Sequence, residues 1–320
     1  MNSLRGVTMK RLMVYCIFIV FIIFMMPILI IRCSRTKKPE VVKSKGPWVR
    51  VYDCSSNKIG VLDLEDYIVG VVAAEMPASF HIEALKAQAL AARTYTLMRM
   101  EEYGGKGCIN HPGADICTDS THCQAYRNPK SLDKDIEKIM EAVFSTKGEV
   151  IVYEYHLIDA VFHSTSGGKT ENSEDVWANK VPYLRSVISE FEDSSPKLVS
   201  LQKIKIDDFI VGLKSMDEGL KVNKKNLKNE MNIMERSEGG RVSKIKIGNK
   251  TFTGKAIREK FGLNSSNFSF SIGKSEITFI VTGYGHGIGM SQYGADGMAR
   301  NGFDYRDIIQ IGRASCRERV

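Results

Sequence analysis

Residues 71–95 read VVAAEMPASFHIEALKAQALAARTY, and the reading of this stretch decides the fold. Its second half opens IEALKAQALAARTYTLMRMEEY, Ile82 to Tyr103, where apolar and small side chains recur at helical spacing until the pair Gly104-Gly105 stops the run. Its first half closes DLEDYIVGVVAAEM, Asp63 to Met76, which has the same spacing and meets Pro77. Two successive helices are expected, with Glu75 at the junction. Outward from this pair the pattern changes period. VRVYDC (49–54) and KIGVLDL (58–64) read as short strands. SLDKDIEKIMEAVFSTKG (131–148) reads as a helix with Ser131 as N-cap and Gly148 at its end, followed by a strand in EVIVYEY (149–155).

Further along, LIDAVFHSTSGG (157–168) reads as a strand running into a glycine turn. Residues 197–260 are Lys-rich and combine the helical LQKIKIDDFIVGLKSM with the alternating RVSKIKIGNKTFTG, which predicts a smaller α+β insertion. Strands return in FSFSIGKSEITFIVTG (268–283), with IGKS as a hairpin turn. The fold class is α+β.

The two ends of the chain are set aside first. Leu12 to Ile31 form an apolar run of about twenty residues, enough to cross a hydrocarbon core of roughly 30 Å as a helix. No small-residue cleavage site follows it, so an uncleaved anchor is expected. That makes 1–11 a cytoplasmic N-terminus, 12–31 a single transmembrane span, 32–46 a polar, basic linker and 47–310 an extracytoplasmic domain. Ile311 to Val320, IGRASCRERV, back-translates to sequencing-adapter DNA and is excluded from fold reasoning. Residues 1–38 carry seven basic and no acidic side chains, and 311–320 carry three basic and one acidic. The net charge of +8 for the whole chain thus becomes −1 between them, from 35 basic and 36 acidic residues. A near-neutral domain excludes a nucleic-acid surface as its main feature and suits a substrate that is not a polyanion.

Four stretches carry chemistry. Glu75 lies among Val71, Val72, Ala73, Ala74 and Met76. A carboxyl in apolar surroundings is costly to ionise and keeps its proton at higher pH, as a general acid must. The alternative is a buried structural pair with Arg93 or Lys86. CINHPGADICTDSTHC (108–123) gathers Cys108, His111, Cys117, His122 and Cys123 in a polar loop that needs something to hold it. Either a Cys/His zinc site, with His111, Cys117, His122 and Cys123 as a full set of four, or a Cys117–Cys123 disulfide would do so. His122 and Cys123 are neighbours, so both reach one ion only from a kinked loop.

FHSTSGGKTENSEDVW (162–177) offers Ser164, Thr165 and Ser166 ahead of Gly167-Gly168, with Trp177 as a flat apolar face for a sugar. GYGHGIGMSQYGA (283–295) has glycines at 283, 285, 287 and 289, which rule out a regular strand or helix, and no dinucleotide fingerprint. His286, Ser291, Gln292 and Tyr293 would point from it into a cleft. A nucleophilic pair of Ser291 or Ser164 with His286 is the competing reading, without a nucleophile-elbow context.

VVAAEMPASFHIEALKAQALAARTY, HPGADICTDSTHCQAY, FHSTSGGKTENSEDVW with VPYLRSV, and GHGIGMSQYGADGMA together resemble the stage II sporulation protein D family of peptidoglycan lytic transglycosylases. The resemblance extends from about residue 48 to 310. It implies that Glu75 is the catalytic acid/base, cleaving the bond between N-acetylmuramic acid and N-acetylglucosamine in denuded strands during forespore engulfment. It implies a structural zinc on His111, Cys117, His122 and Cys123. Substrate contacts are expected from Lys86, Arg93, Tyr95, Ser164, Thr165, Ser166, Gly167, His286, Ser291, Gln292 and Tyr293. The implied partners are glycan strands, the amidase stage II sporulation protein P and the membrane recruiter stage II sporulation protein M. The rival readings are a zinc-dependent wall amidase, which needs an open metal position, and a non-catalytic wall-binding scaffold.

Overall fold

The computed structural model describes residues 46–129 and 136–311. Strands β1 (Trp48–Asp53) and β2 (Lys58–Asp63) form an antiparallel hairpin, Trp48 opposite Asp63 and Asp53 opposite Lys58. Asp63 then caps helix α1 (Leu64–Glu75) by accepting from the Glu65 N–H. Met76 is extended, as a residue preceding proline prefers, so α1 stops there. Helix α2 (Ile82–Arg99) starts at His81, whose imidazole accepts from the Glu83 N–H at 3.3 Å.

Thirteen of the eighteen residues of α2 are buried, on every face. The run of alanines explains this: small side chains let α1, α3 (Ile136–Ser145) and two later helices pack around it, and a helix buried all round shows little amphipathic contrast. Arg93 sits in this core, 1% exposed. Its guanidinium binds Glu65 at 2.6 and 3.0 Å and the carbonyls of Glu149 and Val143 at 3.0 and 3.1 Å. Strand β3 (Ile116–Cys117) joins β1 in parallel. A small hairpin, β4 (Val152–Tyr153) and β5 (His156–Leu157), leads to β6 (Phe162–His163).

A second core follows. Strand β7 (Val199–Lys205), helix α4 (Ile206–Met216), the meander β8 (Met231–Arg236), β9 (Val242–Ile247) and β10 (Lys250–Phe252), and helix α5 (Gly254–Phe261) lead to the hairpin β11 (Phe268–Ile272) and β12 (Glu276–Thr282). Because β12 pairs with β7 along its length, Phe209, Ile245, Ile257, Ile277 and Phe279 share one interior, which extends past residue 260. The chain then returns to the first core through β13 (Met290–Ser291), α6 (Gln292–Arg300) and α7 (Tyr305–Ile311), the last two against α2. The α+β class holds.

The expectation of a single-pass membrane protein with an extracytoplasmic domain is corrected. Among the described residues no helix is long and apolar enough to cross a membrane. The longest, α2, has 18 residues and carries Glu83, Lys86, Arg93 and Arg99. Residues 12–31, where the span was expected, lie outside the described residues, as do the linker up to residue 45, Ser131 and residues 312–320 of the expected adapter tail. Ile311 is the last residue of α7.

Candidate active site and metal loop

A cleft of about 710 Å³ is bounded by the end of α1, the 120–125 loop, β6 and the segment around His286. Parallel pairing of β6 with β13 sets Ser291 beside His163, and Thr165 and Tyr284 exchange backbone hydrogen bonds of 2.8 and 3.0 Å. The alternating glycines have a steric reason. Gly285 has φ +110°, and a Cβ there would lie 2.9 Å from the Cβ of His163; one on Gly287 would meet the Arg241 guanidinium carbon at 2.2 Å.

Glu75 ends α1 on the cleft wall, half-buried. Its Oε1 accepts from the Ala125 N–H at 2.8 Å, and the Gln292 side chain also hydrogen-bonds it. Burial raises its pKa, and these two hydrogen bonds only partly offset that. The structural-pair alternative fails: Arg93 is committed to Glu65, and Lys86 binds Glu83 at 2.7 Å. Glu75 is therefore held by neutral donors, which leaves its proton affinity high.

Of the expected contacts, Tyr95, Ser164, His286 and Gln292 line the same cleft as Glu75, together with Trp177. Lys86, Arg93, Thr165, Ser166, Gly167, Ser291 and Tyr293 do not. Ser166 and Ser291 are buried with their hydroxyls on the carboxylate of Glu192, which also takes the N–H groups of Ser166, Gly167 and Gly168 at 3.0, 2.7 and 3.3 Å. Thr165 is fully buried against Ser195 at 2.6 Å, and the Tyr293 ring packs edge-on against Phe80. Among the hydrogen bonds of the described residues, neither serine of the nucleophilic alternative meets His286: the Ser164 hydroxyl lies 3.4 Å from that of Thr165. Nδ1 of His286 accepts from the Ile288 N–H, and Ser291 turns to Glu192.

The metal loop is kinked as required. The N–H of Cys123 donates to the Asp119 carbonyl at 2.8 Å and that of His122 at 3.1 Å, a tight turn that aims both neighbours inward. Cys108, Cys117, His122 and Cys123 place their donor atoms within 4.8 Å of one another. Nδ1 of His122 is 3.6, 3.4 and 3.3 Å from the sulfurs of Cys108, Cys117 and Cys123. Tetrahedral zinc with sulfur at about 2.3 Å and nitrogen at about 2.0–2.1 Å separates its ligands by about 3.5–3.8 Å, so the three imidazole-to-sulfur separations suit such an ion. His111 stands outside the four, stacked on Tyr52 with ring centroids 3.8 Å apart.

Several residues of the site had no assigned part in the sequence reading. Cys108 joins the metal group; its only signal was its place at the head of the loop. Glu192, within EFEDSSP, is 3% exposed. Arg99 stacks 3.5 Å over the Tyr95 ring and approaches Asp159 at 3.8 Å on the cleft wall. His163 is buried, and its Nδ1 lies 3.1 Å from the Ile288 carbonyl. Burial pushes His163 well below the usual imidazole range and His286 down to about 4, so both rings are neutral at neutral pH.

Residues 52–153, from β1 through the metal loop to β4, match the family described as "Stage II sporulation protein". Stage II sporulation protein D of Bacillus subtilis is 37% identical over 285 residues, covering 86% of this chain and 80% of that protein. The Bacillus amyloliquefaciens protein of the same name is 36% identical over the same shares. The amidase enhancer of Bacillus subtilis is 29% identical over 76% of this chain and 39% of its own length. With more than a third of residues identical across most of both chains, this chain belongs to the stage II sporulation protein D family.

Proposed function

We propose that the chain is a sporulation lytic transglycosylase that cleaves the bond between N-acetylmuramic acid and N-acetylglucosamine in denuded peptidoglycan strands. The observation that carries this reading is Glu75: one carboxyl in a cleft, its proton affinity raised by burial and its oxygens met by neutral donors. Most glycoside hydrolases use two carboxyls, one for the leaving oxygen and one for water or the sugar carbon. Here Glu75 protonates the glycosidic oxygen and, once ionised, accepts the proton of the muramic C6 hydroxyl as that oxygen closes on C1. The product is a 1,6-anhydro end, and no water is consumed. Ala125 and Gln292 orient the carboxyl. Trp177 supplies an apolar face on which a sugar ring stacks, and Ser164 a hydroxyl to bind it.

The loop from Cys108 to Cys123 holds a zinc ion, which supplies a cross-link rather than a reacting centre because four protein ligands leave no open position. Forespore engulfment is the setting, with stage II sporulation proteins P and M as partners. Digestion of denuded strands in water enriched in oxygen-18 tests the reaction class. Anhydro ends free of the label are expected. Labelled reducing ends would mean hydrolysis, released peptides an amidase, and intact strands a non-catalytic wall-binding protein.

A further inference from the structure

We infer that Arg99 pairs with the free lactyl carboxylate that muramic acid carries once its stem peptide is gone. It thereby sets a preference for strands whose carboxylates are bare over strands whose carboxylates are blocked. The inference rests on the proposed reading of the cleft as a glycan site, and names a residue that tells one glycan from another.

Three observations carry it. Among the described residues, Arg99 is the one lysine or arginine that lines the cleft with Glu75, and the imidazoles of His163 and His286 beside it are neutral. Arg99 is also held in a way that leaves its donors open. It ends α2 one turn past Tyr95, and its guanidinium lies 3.5 Å over the Tyr95 ring. That stacking fixes the plane of the fork and uses none of its N–H groups. Lastly, Nη1 is buried without a hydrogen-bond partner, because Asp159 Oδ1 stands 3.8 Å away, beyond hydrogen-bond distance.

Arg93 on the same helix is the contrast. At 1% exposure it is bonded to Glu65 and to two backbone carbonyls, and it holds the core. Arg99 keeps 26% of its side-chain surface open, and a loose, partly exposed ion pair adds little to stability. Asp159 is close enough to aim the guanidinium and too far to saturate it.

The substrate supplies the missing acceptor at one place. Hydroxyls, acetamido groups and ring oxygens are neutral along the whole strand. The lactyl group of muramic acid ends in an amide while the stem peptide is attached and in a carboxylate once it is removed. A planar guanidinium meets a carboxylate through paired, charge-assisted hydrogen bonds, which it does not form with an amide. No new bond-breaking step is involved; Arg99 binds and discriminates.

Denuded strands and the same strands after carbodiimide coupling of their lactyl carboxylates to methylamine are the probes. The full chain is given each, and anhydro ends are counted by mass spectrometry. The parent is expected to favour the free carboxylate by about 10-fold or more in kcat/KM, the size of one hydrogen bond to a charged partner. The preference should shrink at about 1 M salt, where screening acts within about 3 Å. Arg99→Met should cut both strands alike. Arg99→Lys, which keeps the charge but not the fork, should retain an intermediate preference. A merely structural role would lower both activities and leave their ratio intact. A parent indifferent to the blocking, or an Arg99→Met protein with the parental ratio, would overturn the inference and leave the transglycosylase reading standing. No anhydro ends from either strand with the parent would overturn that reading, and the inference with it.

Discussion

The Ala125 N–H donates to the Glu75 carboxylate across 2.8 Å, and Ala125 lies two residues beyond Cys123. The candidate acid and the candidate metal site are therefore neighbours through the backbone. The Tyr95 hydroxyl, 3.5 Å from the carbonyls of His122 and Cys123, ties the same segment to α2. A perturbation of the loop has a direct route to the Glu75 carboxyl.

Metal removal follows from this relationship. A chelator should lower the melting temperature and accelerate amide exchange across 108–125, while exchange in the second core, around Phe209 and Phe279, stays unchanged. Loss of anhydro product should track the loss of metal. Exchange mass spectrometry with and without chelator checks this; an unperturbed loop would contradict it.

The pH dependence of stability has a definite sign. Burial raises the pKa of Glu75, so the folded protein holds that proton more tightly than the unfolded chain. Ionised Glu75 therefore costs stability above its raised folded value, and the cost vanishes as pH falls below the ordinary carboxylate range. Glu75→Gln removes the ionisable group. The variant should be more stable than the parent at pH 7.5, with an advantage that shrinks toward pH 4. Denaturant melts at both pH values provide the comparison, and an advantage that grows on acidification would show the opposite shift.

The Arg93–Glu65 pair holds the core rather than the substrate. Both side chains are almost fully buried and meet at 2.6 Å. Replacing either one by alanine strands a buried charge and should cost about 3–5 kcal/mol, whereas the double replacement Glu65→Leu with Arg93→Met should recover much of that loss. A loss in the double variant equal to the sum of the two single losses would argue against a coupled pair.

Glu192 organises the turn beside the cleft without reaching it. It gathers the N–H groups of Ser166, Gly167 and Gly168 and the hydroxyls of Ser166, Ser189 and Ser291. Glu192→Ala leaves these donors unmatched and should destabilise the protein by about 3 kcal/mol or more. Calorimetry is the check. A loss below about 0.5 kcal/mol, the range of an ordinary surface substitution, would mean that water replaces the carboxylate at little cost.

The fold was legible where periodicity and turn chemistry coincide. IGKS gave the β11–β12 hairpin, closed by Gly273 N–H to the Glu276 carbonyl at 2.8 Å, and Ser291 caps α6 as a serine ahead of a helical run does. EVIVYEY read as one strand but holds only the first strand and the turn of a hairpin, because Glu154 and Tyr155 turn at φ +49° and +64°, conformations their side chains do not announce. Gly104-Gly105 marked the end of α2 a few residues late: the α-helix stops at Arg99 and a single tight turn, Glu101–Tyr103, fills the gap.

The site was legible in its pieces. Glu75, His286 and Gln292 announced themselves by apolar or glycine-rich surroundings. Which hydroxyls face the cleft was not, because Ser166 and Ser291 answer to Glu192, and only the parallel register of β6 with β13 brings those segments together. The same limit applies to His111 and Cys108. Spacing along a loop does not tell which ring stacks on Tyr52 and which sulfur turns inward.

The central claim is that one carboxyl does both proton transfers. Glu75→Gln keeps the shape and hydrogen-bonding reach of that side chain while removing its proton chemistry, so its rate of anhydro-end formation on denuded strands, by mass spectrometry, is the most direct test. A fall of roughly 100- to 10,000-fold with glycan binding retained is expected. Cleavage at the parental rate would contradict the account.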